Sequence, residues 1–276
     1  MLKQRIQTGV VLAAAALAAV LLLPLGGLAV VLAVVVAAAL WEWSDLAGLT
    51  GVPVRAGYCL LGLAGLLALL PLTAVGGSVA QPSLQIVLGV AAVAWLLAAA
   101  AVLTYPATAG SWGSRWSRAV MGWLAVLPTW LALIYLRGLE QGAWLIIFLV
   151  ALVASADIGA YGFGRAFGRH KLAPQVSPGK SWEGFIGGMG CGLLFTLLVW
   201  WLAWSTRVGI GAMAVVAATT LLASVVGDLT ESMVKRYRGV KDSGTLLPGH
   251  GGVLDRLDSL CAAAPVFALG LLLAAW

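Results

Sequence analysis

Asp228, Glu231, Ser232 and Lys235 recur at i, i+3, i+4 and i+7, which sets two carboxylates, a hydroxyl and an ammonium on one face of a single helix. Asp255 and Asp258 repeat the i, i+3 spacing at the start of a later apolar run, with Ser259 beside the second. Acids in the first turn of a helix are ordinary partners of the helix dipole. Gathered with Asp228 and Glu231 at one membrane depth, they repel one another unless a cation lies between them. Hard oxygen donors that leave room for substrate phosphates suit Mg²⁺. Asp228, Glu231, Asp255 and Asp258 are therefore the expected metal ligands; the plainer alternative for the first pair is an internal ion pair with Lys235 or Arg236.

Between the acid pairs runs a loop with Lys235, Arg236, Arg238 and Lys241, followed by Gly244 and the turn Pro248-Gly249-His250-Gly251-Gly252. Glycines let backbone N–H groups approach an anion that the cations neutralise, although the pattern is not a Walker loop. His250 alone reads as readily as a turn residue as a catalyst. A second segment, Ser177-Pro178-Gly179-Lys180-Ser181-Trp182-Glu183-Gly184, predicts a helix with Ser177 as N-cap and Pro178 at its first position. Its exposed amides and Lys180 then form an anion seat, or else an ordinary cap. The loop cations are expected to stabilise reacting phosphates, and the Lys180 segment, on the far side of the site, to hold nucleotide. Gly184, Gly188 and Gly192 recur every fourth position and predict close helix packing. Asp157, inside an apolar helix with Tyr161 one turn on, is a site candidate because intramembrane acids are costly. Up to about Gly142 no reactive constellation is found, and Glu42 and Asp45, beside Trp41 and Trp43, read as an interfacial helix end.

These residues must be positioned by membrane helices. The 276-residue chain is 62% hydrophobic and only 9% charged, with a mean hydropathy of +1.03. A globular chain spends about a quarter of its residues on charge. The unbroken Leu/Ala/Val runs lack barrel-strand alternation, so an all-α polytopic integral membrane protein is expected. Breaking the runs at Pro, Gly and charge clusters predicts nine transmembrane helices: Val10–Leu23, Leu28–Trp43, Ala56–Leu72, Leu84–Leu103, Ala119–Leu136, Ala143–Ala160, Phe185–Ser205, Ile210–Gly227 and Leu257–Trp276. The first is short and, behind Lys3 and Arg5, resembles a secretory signal; with no polar domain after it, it is kept as a helix. With the N-terminus inside, all of the 16 Lys and Arg residues except Arg137 and Arg207 fall on the cytoplasmic side. The N-terminus and the catalytic face are thus expected in the cytoplasm. One transmembrane domain is expected, with residues 1–142 as scaffold and 143–276 as the catalytic part, carrying cytoplasmic loops 161–184 and 237–254. Cys59, Cys191 and Cys261 lie in apolar runs at no metal-ligand spacing and read as buried apolar residues. The net charge of +6 has no separate basic domain to carry it, so a membrane surface rather than nucleic acid is the expected partner.

The stretch from Ser232 through Lys241-Asp242-Ser243-Gly244 to Pro248-Gly249-His250-Gly251-Gly252-Val253-Leu254-Asp255-Arg256-Leu257-Asp258 resembles the diagnostic motif of phosphatidate cytidylyltransferases, also called CDP-diacylglycerol synthases. Gly227-Asp228-Leu229-Thr230-Glu231-Ser232, the Ser177–Gly184 segment and Asp157-Ile158-Gly159-Ala160-Tyr161 resemble that family's upstream motifs. The resemblance implies transfer of CMP from CTP to phosphatidate, with Mg²⁺ and K⁺, by a homodimeric enzyme of the cytoplasmic membrane. On the matching positions it implies catalytic roles for Lys235, Arg236, Lys241, Asp242 and His250. It implies substrate contacts for Asp157, Ser177, Lys180, Glu183, Ser232, Gly251, Gly252 and Arg256, and metal binding by the four acids. Two alternatives stay open: another CTP-using lipid enzyme, acting on an ether-lipid phosphate or as a polyprenol kinase, and a secondary transporter. A transporter's acids belong near the bilayer midplane in both halves, whereas here they cluster at one face of one half.

Overall fold

The computed structural model describes residues 2–75, 81–206, 208–247, 249 and 251–274, with side chains from residue 8 onward. Arg207 and His250 therefore lie outside the described residues, as do the side chains of Lys3 and Arg5. The chain runs through α1 (Leu2–Leu22), α2 (Leu25–Leu46), α3 (Val52–Leu69), α4 (Gln81–Leu103), the single turn α5 (Ala109–Trp112), α6 (Arg115–Gly138) and α7 (Gly142–Phe167). A hairpin of β1 (Lys171–Ala173) and β2 (Ser177–Ser181) then leads into α8 (Trp182–Val199), α9 (Ile210–Arg238) and α10 (Leu254–Leu273).

Eight of these helices are long and apolar enough to cross a membrane, and the protein is a multi-pass membrane protein. Of α1, 21 residues long, only Thr8–Leu22 has described side chains, so this count leaves the ninth expected span open. Large apolar side chains such as Leu60, Leu96, Leu194 and Trp201 point outward, where hydrocarbon rather than water makes them favourable. The interior is filled by Trp43, Leu131, Ile134, Leu145, Leu149 and Phe267, all fully buried.

α9 has 29 residues, about 44 Å at 1.5 Å per residue, well beyond the ~30 Å hydrocarbon thickness, so its last turns leave the membrane. It stops at Gly239, whose φ of +76° admits the left-handed cap and lets its N–H reach the Arg236 carbonyl at 3.1 Å. α10 packs along α9 because Gly227 has no side chain: a Cβ there would strike the Asp258 carbonyl. The Gly184/Gly188/Gly192 row packs as expected. A Cβ at Gly184 would meet the Ala160 carbonyl at 2.8 Å and one at Gly188 the Ala156 carbonyl at 2.7 Å, both on α7, while Gly192 faces Leu221 of α9.

The helix expected from Ser177 is not formed. Ser177–Ser181 is strand β2, paired antiparallel with β1, and the cap falls four positions later, where the Ser181 hydroxyl accepts from Gly184 N at 3.2 Å. Pro178 tolerates this because an edge strand leaves its missing N–H unneeded. Glu183 locks the hairpin base, accepting from His170 Nδ1 at 2.7 Å and from the backbone N of Arg169 at 3.1 Å. Lys180 thus projects from a strand instead of opening a helix, and the fold is all-α apart from this hairpin.

Candidate active site

The polar stripe of α9 forms as its spacing predicts and meets the first turn of α10. Lys235 Nζ donates to Glu231 Oε1 at 3.0 Å and to Asp255 Oδ1 at 2.7 Å. Glu231 is 2% exposed and Lys235 8%, so two carboxylates share one ammonium in a dry setting. Asp255 is held further by the loop: Ser243 N donates to its Oδ2 at 3.0 Å and Gly252 N to the same oxygen at 2.8 Å. Gly251 turns toward it with a φ of +80°, a backbone state glycine adopts without strain. Ser232 Oγ donates to Asp228 Oδ1 at 3.4 Å, and Asp258 Oδ1 accepts from Ser259 N at 2.8 Å.

Asp228 forms an ion pair with Lys180, which arrives from β2. The hairpin folds back so that Lys180 meets Asp228, one of the α9 acids. Asp157 of α7 lies within electrostatic reach of Lys180 and Asp228, and Asp258 within reach of Asp228, Lys235 and Lys180. Asp157, Tyr161, Lys180, Ser181 and Ser224 line a cavity of about 380 Å³ among α7, α8, α9 and the hairpin. An apolar cavity of about 270 Å³, including Val102, Trp182, Val226 and Leu229, adjoins it through Leu172, Phe185 and Val225.

One oxygen in this network has nothing to bind. Glu231 Oε2 is buried without a hydrogen-bond partner, at a cost of about 1–3 kcal/mol for such an atom and more when it is charged. Among the described residues no three acid, His or Cys side chains close around a point as a protein-only metal cage requires. Mg²⁺ needs no such cage, because it keeps waters and binds through one or two carboxylates together with substrate phosphates. An orphan carboxylate oxygen with Asp258 within electrostatic reach suits such binding through one or two carboxylates. Asp255, the fourth expected ligand, has both oxygens engaged by Lys235, Ser243 and Gly252.

The other expected residues take plainer positions. Arg236 Nε donates to the Val176 carbonyl at 3.2 Å and ties the hairpin to α9. Lys241, Asp242 and Arg256 are exposed, and Ser177 sits on β2. Leu247 and Gly251 form an isolated bridge, and His250 lies outside the described residues.

The first half of the chain supplies a residue the sequence reading left out. Glu42 of α2, read as an interfacial helix end, is 3% exposed and reaches the loop. It accepts from Ser243 Oγ at 3.2 Å, Val253 N at 3.0 Å and Leu254 N at 2.8 Å, capping α10 from another helix. Asp45 does lie at the helix end, half-buried, 3.9 Å from an Arg238 guanidinium nitrogen. The signals that could have found Glu42 are weak: an acid inside an apolar helix, one turn before its end.

Against known proteins, the model of the cytidylyltransferase family matches residues 3–274. A phosphatidate cytidylyltransferase of Pseudomonas aeruginosa is 47% identical over 276 residues, covering 100% of this chain and 99% of that protein. One of Haemophilus influenzae is 40% identical over 282 residues, covering 97% of each. One of Brucella suis is 51% identical over 140 residues, half of this chain. With a family match over nearly its whole length and full-length relatives of this identity, the chain belongs to the cytidylyltransferase family.

Proposed function

We propose that the protein transfers CMP from CTP to phosphatidate, giving CDP-diacylglycerol and pyrophosphate at the cytoplasmic face of the inner membrane. The observation that carries this reading is the charge network where α9 meets α10 and β2: Lys180 paired with Asp228, Lys235 paired with Glu231 and Asp255, and a buried Glu231 oxygen that lacks a partner among the described residues. The full-length relatives, named as phosphatidate cytidylyltransferases, support the same substrates.

The chemistry suits such a site. A phosphate oxygen of phosphatidate attacks the α-phosphorus of CTP, the bond to the β-phosphate breaks, and pyrophosphate leaves with the electron pair. The phosphate monoester is already anionic near neutral pH, so no Ser, Cys or general base has to activate it. The barrier lies in bringing two anions together and in charge growing on the leaving group. Lys180 supplies positive charge at the cavity wall. Lys235 holds Glu231 and Asp255 in place from beneath. One or two of Asp228, Asp258 and Glu231, together with substrate phosphates, would hold Mg²⁺, which when bound neutralises phosphate charge as the transition state develops. The adjoining apolar cavity gives an acyl chain a place within a turn of Asp228.

Purified protein given CTP and phosphatidate is expected to release pyrophosphate only when both are present. Equal release with an ether-lipid phosphate and none with phosphatidate would move the assignment to another lipid substrate. The orientation follows from the basic residues and has its own check. On a cysteine-free background, thiols placed at the exposed positions Thr245 and Thr206 should react from opposite sides of the membrane. Labelling of both from one side contradicts the cytoplasmic placement.

A further inference from the structure

Glu42 is buried, acidic and distant in sequence from every motif of the site. Among the described residues no Lys, Arg or His forms an ion pair with it, so its charge is met only by donors of the loop and of α10. An unpaired buried carboxylate is expensive unless several hydrogen bonds satisfy it. The loop is shaped to supply them. A Cβ on Gly244 or on Gly252 would collide with the Glu42 carboxylate, so glycine at both places lets the backbone close over it. The residues that grip Glu42 also grip Asp255. Ser243 gives its hydroxyl to Glu42 at 3.2 Å and its backbone N–H to Asp255 Oδ2 at 3.0 Å. Gly252 packs on Glu42 and donates to Asp255 at 2.8 Å.

We propose that Glu42 is a positioning residue for the CMP transfer, holding the loop so that Asp255 fixes Lys235, and through it Glu231, at the reaction centre. The inference rests on the activity proposed above. The chain of contacts is continuous: Glu42 to Ser243 at 3.2 Å, Ser243 to Asp255 at 3.0 Å, Asp255 to Lys235 at 2.7 Å and Lys235 to Glu231 at 3.0 Å. It ends on the carboxylate whose second oxygen is free. A cap that served only the stability of α10 would need the Val253 and Leu254 amides alone, whereas the link through Ser243 leads into the site.

The test compares Glu42→Gln, Ser243→Ala and the double variant in the full-length protein, reading kcat, KM for each substrate and the unfolding temperature. A carboxamide keeps the shape of Glu42 but turns an NH₂ toward groups that also donate. Glu42→Gln should lower kcat at least tenfold with KM for CTP within about threefold of wild type. Ser243→Ala should lower kcat several-fold at temperatures where the variant is fully folded, with a smaller fall in unfolding temperature than Glu42→Gln. Because the two act through one contact, the double variant should be no slower than Glu42→Gln. Wild-type kcat in Glu42→Gln, or losses that multiply in the double variant, overturns the proposal. Should Glu42→Gln fail to fold, Ser243→Ala decides: wild-type kcat overturns the proposal and a selective kcat loss upholds it. An inactive wild-type protein sinks the assigned activity, whereas an active one with an unaffected Glu42→Gln sinks only this inference.

Discussion

Asp228→Asn should reduce kcat by at least about 100-fold, equivalent to about 2.7 kcal/mol of transition-state stabilisation, while the protein still inserts and unfolds at nearly the wild-type temperature. The two halves of that expectation have separate causes. Asp228 is the carboxylate that reaches Lys180 from α9, and it lies within reach of Asp157 and Asp258. Removing its charge frees Lys180 from its partner and takes an oxygen donor from the set suited to Mg²⁺, so phosphate charge is met less well. Its side chain is 27% exposed, however, and partly solvated pairs of this kind contribute only about 0–1 kcal/mol to stability. Steady-state kinetics and a thermal unfolding scan on the same sample check both halves. A rate above a tenth of wild type removes Asp228 from the catalytic set.

Asp255→Asn should cost as much activity and, unlike Asp228→Asn, also stability. Its carboxylate is 9% exposed and engaged by an ammonium and two backbone amides. An amide there leaves Lys235 paired with Glu231 alone and points an NH₂ at groups that themselves donate. Breaking one partner out of a buried pair typically costs about 3–5 kcal/mol. A clear drop in unfolding temperature together with loss of turnover is the expected signature. Full stability with lost turnover would mean that Asp255 acts on substrate directly instead of holding the loop.

The contrast between these two acids marks what the sequence could and could not disclose. The α9 stripe was legible because side chains at i, i+3, i+4 and i+7 are neighbours by helix geometry alone, whatever surrounds them. The glycine row of α8 was legible for the same reason. The division of labour between Asp228 and Asp255 was not, because both open as acids at helix ends and only the fold decides which one meets Lys180 and which one meets the loop. The Ser177 segment failed on competition between two local signals. Ser177-Pro178 and Ser181 both suit a helix start, and pairing with Lys171–Ala173 selects the second. Glu42 was beyond local reasoning altogether, since its partners Ser243 and Leu254 stand 201 and 212 positions away. Nothing in a single chain's spacing tells a buried clasp from an interfacial acid.

In the proposed reaction the lipid phosphate attacks the α-phosphorus of CTP and pyrophosphate departs, with the charges around α9 and α10 carrying the transfer. Purified protein incubated with phosphatidate and CTP labelled with ³²P at the α or at the γ position tests this in one extraction. The α-label is expected to enter the lipid phase and the γ-label to stay in the aqueous phase as pyrophosphate. Recovery of γ-label in lipid would mean phosphoryl transfer to a lipid acceptor and would contradict it.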